Sequence, residues 1–239
     1  MINLHKSTSL FLLLLFGILQ YGYSQAGFTI SRFNQNIPDL ETIVFQNNTT
    51  NQDLLPNGYR LAGDFWIKPL KDYRLELYPE FSIGYAKDEF VRDARTEEFQ
   101  LASAGVNLNM NFYVLNFHSD CDCPTFSKPE SFFEKGFFIQ VSPGYHYFRG
   151  VYEVTDGREL RKNVMNELVP KLGLGAGIDI GISDLITITP IVQYSRFFNA
   201  HWDQLSFTVS GDPLIDTTPD ESHINQFSYG LHIGIRWRK

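Results

Sequence analysis

The chain has 239 residues, a net charge of −7 and two cysteines. That length fits one sizeable domain or two small ones. The negative charge argues against nucleic acid as a partner, and two cysteines are far too few for a disulfide-stapled scaffold.

The first two dozen residues read as a secretory signal. Lys6 gives a short basic start, residues 9–19 (SLFLLLLFGIL) are apolar, and Gly22-Tyr23-Ser24 supplies the small residues of a cleavage site. The apolar run is too short to span a bilayer as a helix, which takes ~20 residues. No cysteine follows directly to carry a lipid. The expected division is a signal peptide over 1–24 and a single domain over 25–239.

Beyond residue 25 the sequence has no lasting helical period. It alternates with period two, the signature of strands. In chain order the alternating segments are a short, weak piece at 27–33, then 59–68, 74–86, 104–114, 136–148, 167–180, 186–196 and 226–238. In 74–86 (RLELYPEFSIGYA) one face carries Leu75, Leu77, Pro79, Phe81, Ile83 and Tyr85, and the other Arg74, Glu76, Tyr78, Glu80, Ser82 and Gly84. In 104–114 the polar face is Asn107, Asn109 and Asn111. All segments but the first reach the ~9–11 residues that a tilted strand needs to cross a bilayer.

The links alternate as well. Residues 69–72 and 183–184 are short, whereas 34–57, 87–96, 150–164 and 199–222 are long and polar. Transmembrane barrels have short periplasmic turns and longer outer loops, and this order puts both termini in the periplasm. The link 117–135 is the exception, long where a short one is expected. The polar faces carry charges flanked by unbroken apolar faces. Aromatics gather near strand ends at Tyr73, Tyr85, Phe112, Phe137, Tyr147, Tyr194 and Trp237, as in interfacial girdles. The predicted fold class is all-β: an eight-stranded antiparallel outer-membrane β-barrel, an up-and-down meander, with lipid outside and polar side chains in the lumen.

With this signal, strand count, loop parity and terminal strand SYGLHIGIRWRK, the chain resembles small outer-membrane barrels of the OmpA/OmpX-like type, as found in the Bacteroidota. In size and plan it is also similar to PorT-like barrels. The resemblance implies location in the outer membrane and a non-enzymatic role in envelope integrity, loop-mediated binding or a larger complex. The PorT-like alternative implies an accessory of protein secretion.

The lumen-facing charges are Arg60, Asp64, Glu76, Glu80, Lys171, Asp179 and Arg236. An eight-stranded interior is just wide enough for side chains to fill, and charges buried there must be paired. They are expected to form a salt-bridged plug, with a gated channel or proton path as the alternative. Glu76, Asp179 and Arg236 fall toward the periplasmic end, and Glu80, Asp64 and Lys171 nearer the middle. The run LGLGAGIDIGI (172–182) is not a phosphate loop, because no helix and no lysine–serine pair follow; no nucleotide is expected. Its glycines fall on the lumen face, where long arms such as Arg60 and Arg236 are expected to approach.

Other clusters carry less. His118, Cys121 and Cys123 (HSDCDC) offer three soft ligands where structural zinc usually wants four, so Cys121 and Cys123 are read as a disulfide pair in an oxidising compartment. The link 117–135, with Pro124, Pro129, Phe132 and Phe133, would suit docking to a periplasmic or outer-membrane protein. Asp203, Asp212, Asp216, Asp220 and Glu221 are read as solvated loop charges rather than a calcium site. His201 and His223, near Asp203, Ser206 and Ser210, raise an outer-rim hydrolase or acyltransferase, but a polar lumen has no place for an acyl chain. No catalytic residue, metal or cofactor is assigned.

Overall fold

The computed structural model describes residues 25–38, 55, 57–70, 72–92, 95–117, 132–156, 159–202 and 222–236. The signal-peptide reading over 1–24 lies outside them. The strands are β1 (Gln25–Asn36), β2 (Asn57–Phe65), β3 (Leu75–Arg92), β4 (Arg95–Phe112), β5 (Phe137–Asp156), β6 (Glu159–Ile178), β7 (Ile180–Gly181), β8 (Ile186–Ala200) and β9 (Ser222–Arg236). A five-residue helix, α1 (Phe132–Gly136), leads into β5.

Every pairing is antiparallel. Each strand pairs with its chain neighbour from β1 to β6, β6 pairs with β8, β8 with β9, and β9 returns to β1. β7 continues β6 past a break at Asp179 and pairs with β8, so the sheet closes with eight staves. Following partners from Lys171 one way gives Gly144, Asn107, Glu80, Asp64 and Gly27. The other way gives Phe197 and Ile224, one step past the Asn225–Asn36 pair. The row that leaves β1 at Gly27 therefore returns opposite Ile37, a stagger of about ten residues. Such a stagger is what lets tilted strands close into a barrel.

Several strands outrun the sequence reading. The weak piece at 27–33 is the full strand β1, paired on both sides. Residues 87–96 and 150–164 were expected as long polar loops. Instead β3–β4 pair out to Arg92–Arg95 and β5–β6 out to Asp156–Glu159.

The reason is that the alternation continues but changes sense. In the lower part, near the turn 182–185, outward positions are large and apolar. Phe81, Ile83, Tyr145, Leu168, Leu174, Val192, Tyr229 and Leu231 are each at least two-fifths exposed, and Ser82, Asn107, Ser142 and Gln193 point in and are buried. Above Tyr85 and Tyr147 the pattern inverts. Lys87, Glu89, Arg149 and Lys162 face out, while Phe99, Leu101, Tyr152 and Met165 are buried inside. The lower barrel is apolar outside and polar inside; the upper extension is built like a water-soluble protein.

Tyrosines mark the change of sense. Tyr147 donates to Asn166 at 2.8 Å and Tyr194 to Asn225 at 3.0 Å, each ring on apolar surface with its hydroxyl on a polar neighbour. In the extension, Lys87 Nζ lies 2.9 Å from Glu98. That hydrogen bond holds the exposed Glu98 carboxyl below its ordinary range and the Lys87 ammonium above its own.

Candidate functional site: the filled lumen

Side chains alternate along a strand, so one face of each stave lines the lumen. Arg60, Asp64, Glu80, Lys171 and Asp179 are buried there, and Glu76 and Arg236 are half-buried. They occupy three places.

The middle is centred on Glu80. Asn107 donates to its Oε1 and Asn109 to its Oε2, each at 2.8 Å. Lys171 Nζ donates at 3.3 Å to both Asn107 Oδ1 and Gln193 Oε1, and Arg60 Nη1 reaches the same Gln193 oxygen at 3.4 Å. Gln193 donates to Gln140 at 2.9 Å, and Gln140 to Asn111 at 2.8 Å. Ser142 donates to Asn109 at 2.6 Å, and His146 Nε2 lies 3.1 Å from Asn107 Oδ1. Amides stand between the charges. This refines the expected plug: Asn107 donates to the carboxylate and accepts from Lys171, while Gln193 accepts from both cations. Beside them Asp64 lies 3.2 Å from His232 Nε2. A chamber of about 30 Å³ opens among Arg60, Asp64, Glu80, Asp179 and His232, space for about one or two waters.

The lower end joins Glu76 to Asp179. Tyr113 Oη lies 3.0 Å from Glu76 Oε2 and 2.5 Å from Asp179 Oδ2. Tyr78 donates to Glu76 Oε2 at 2.7 Å and Thr189 to Asp179 Oδ1 at 2.6 Å. The Arg74 guanidinium lies 3.8 Å from the Tyr113 ring centroid and donates to the Lys135 carbonyl. Arg236 is placed apart from this group, its guanidinium 5.6 Å from the Trp66 ring centroid.

The upper end corrects the expectation of a lumen polar throughout. Phe33, Ile37, Leu55, Phe99, Leu101, Phe148, Tyr152, Met165, Val169, Phe197, Trp202 and Ile224 form a continuous buried apolar cluster. Phe148 and Phe197 meet edge to face at 5.1 Å, and Phe99 contacts Tyr152 and Trp202 at 6.4 Å. Polarity therefore does not keep an acyl chain out of this end. Packing takes its place, since these rings fill the space with one another.

No family model matches the chain, and no curated protein matches it in sequence. Solved structures similar to it are outer-membrane and surface proteins. Neisserial surface protein A is 9% identical over 90% of this chain and 98% of its own, with a TM-score of 0.42. The attachment invasion locus protein of Yersinia pestis, Ail, is 10% identical over 90% and 100%, with a TM-score of 0.40. The outer membrane protease OmpT of Escherichia coli is 7% identical over 90% and 96%, with a TM-score of 0.45. Identities and scores this low assign neither family nor activity.

The glycines of β6 do not meet the expected arginines. A Cβ on Gly175 would lie 2.8 Å from the Val192 carbonyl and 3.5 Å from Gln140 Oε1, Gly173 faces Ser195 and Gln193, and Gly177 faces Phe138. Gly175 stands between Gln140 and Gln193 on one row of backbone partners, so its bare backbone lets the two amides bond across it. Gln140, Gln193, His146, Tyr113 and His232 complete the site and carry no conspicuous charge pattern in the sequence. The signal was available, because all but Tyr113 lie on polar faces of alternating segments.

Cys121, Cys123 and His118 lie outside the described residues, as do Asp203, Ser206, Ser210, Asp212, Asp216, Asp220, Glu221 and most of the link 117–135. His201 Nδ1 lies 3.0 Å from Glu167. The ring of His223 packs against Phe198, and its Nδ1 accepts from the Asn199 amide at 3.5 Å.

Proposed function

We propose that this chain is an outer-membrane barrel with a filled interior and a non-enzymatic role: it carries a rigid extension on the cell's outer face for envelope integrity or binding, alone or as part of a larger assembly. The observation that carries this reading is the inverted polarity of the lower barrel. Apolar side chains stand exposed on its staves while buried amides and charges fill the centre. In water that arrangement exposes large apolar area. In lipid it is the favoured one, because a closed sheet pairs its backbone groups and turns its apolar side chains to the hydrocarbon. The aromatics at the two edges of the band suit the headgroup region.

The test is fractionation with gel migration. The protein is expected in the membrane fraction, migrating faster unheated than boiled, as a folded barrel does. Recovery as soluble periplasmic material overturns the proposal. An accessory role in protein secretion is a narrower form of the same reading. Stoichiometric co-purification with secretion components from native membranes is the result that selects it.

A further inference from the structure

We propose that Glu76, Tyr113 and Asp179 form a proton-dependent latch at the lower end of the lumen: the two carboxyl groups keep one proton between them, bridged by the Tyr113 hydroxyl, and its loss loosens that rim. Tyr113 Oη touches two carboxyl oxygens, 2.5 Å away on Asp179 and 3.0 Å away on Glu76. A phenol has one hydrogen to donate. With both carboxyl groups ionised, one of the two contacts sets oxygen against oxygen. One added proton on Asp179 Oδ2 removes the conflict. Asp179 then donates to Tyr113, Tyr113 donates to Glu76, Tyr78 donates to the same Glu76 oxygen, and Thr189 donates to the other oxygen of Asp179.

Charge and burial agree with the count. Tyr113 is wholly buried and Asp179 nine-tenths buried, and a buried carboxylate without compensation is costly. Arg74, on the Tyr113 ring, brings one positive charge to two carboxyl groups. Around the chamber that Asp179 borders, β3 contributes Tyr78 and Glu80, β2 contributes Asp64 and Arg60, and β9 contributes His232. There Asp64 is matched with His232, and Glu80 with the nearby cations Arg60 and Lys171. β5 and β8 face the group with Phe138 and Thr189, which carry no charge.

The position makes the proton consequential. Asp179 is the break between β6 and β7, and its backbone amide bonds to Gly136 of α1 at 3.0 Å. Its side chain ties that break to the end of β4 through Tyr113 and to β8 through Thr189. Repulsion between two ionised carboxylates acts on this whole junction of α1, β4, β6, β7 and β8.

Linkage sets the sign. The folded protein keeps a proton that the unfolded chain gives up above a pH of about 4. Stability therefore falls as pH rises from there, until the folded protein also releases it. The test measures urea unfolding of the folded barrel across pH for the wild type and Asp179→Asn, whose amide supplies the missing hydrogen permanently. The wild-type unfolding constant is expected to rise with pH more steeply than the variant's by one proton, a factor of about ten per pH unit. Parallel slopes overturn the latch. Infrared spectroscopy at neutral pH is expected to show a protonated-carboxyl band that disappears in Asp179→Asn. Its absence from the wild type, or its survival in the variant, overturns the latch too. Should Asp179→Asn fail to fold, Glu76→Gln serves, because removing the second carboxylate removes the need for the proton and the steep slope with it. These measurements need only a folded barrel, so their failure leaves the membrane reading standing.

Discussion

Gly175 shows how little room the lumen leaves. Its missing side chain is what allows Gln193 to reach Gln140 at 2.9 Å across the strand between them. A β-carbon there would press on the Val192 carbonyl at 2.8 Å, which is backbone and fixed by its own pairing. Gly175→Trp is therefore expected to prevent folding, read as loss of the faster-migrating unheated band. Leu174→Trp is the control: the neighbouring side chain points outward and is 57% exposed, so its indole meets no lumen wall and the band is retained. A normally folded Gly175→Trp barrel would refute the account of the packed lumen. At this scale the charged residues were legible in the sequence, because charge on an alternating strand is conspicuous. The connecting amides stand on the same polar faces, but which of them bond across the lumen was not legible, because that depends on the register between strands, such as Gln140–Gly175–Gln193.

The hairpins β3–β4 and β5–β6 carry the upper extension, and its apolar interior holds them together. Phe99 is wholly buried between Tyr152 and Trp202. Phe99→Ala removes most of that ring, and such a change typically costs about 3–5 kcal/mol. The loss falls above the apolar band, so the two parts should respond differently. Limited proteolysis is expected to cut the variant within the β3–β4 and β5–β6 hairpins at protease levels the wild type resists, while a heat-modifiable lower barrel survives. Equal resistance of the two proteins would show that the apolar cluster does not hold the extension together. These hairpins also mark where the sequence was misread. Their outward residues Lys87, Glu89, Glu98 and Lys162 look like loop, and the change from apolar-out to apolar-in hides a strand that continues through it. The period of two was intact, with Phe99 and Leu101 on one face and Glu98 and Gln100 on the other, but it had to be read without fixing which face is wet.

The whole molecule has two ends of different chemistry, and on the proposed membrane reading that difference sets its orientation. The extension carries outward charges on β3, β4, β5 and β6, two of them paired at 2.9 Å as Lys87–Glu98 and two at 2.7 Å as Lys162–Glu153. Basic side chains on a barrel's lipid face cost ~2–4 kcal/mol each at the midplane, so the extension must stay in water. The opposite end has the turn 182–185 and the two terminal strands, which begin at Gln25 and end at Arg236. Short turns belong on the periplasmic side, so the extension is expected outside the cell. An epitope inserted between β3 and β4, beyond the Arg92–Arg95 pair, tests this. A second epitope, beside Asp184 in the short turn, tests the other face. Antibody on intact cells is expected to bind the first, and to bind the second only after the outer membrane is opened. The reverse pattern would invert the orientation while keeping the barrel in the membrane. Labelling of neither site until the cells are opened would remove the extension from the cell surface and, with it, the proposed outward-facing role.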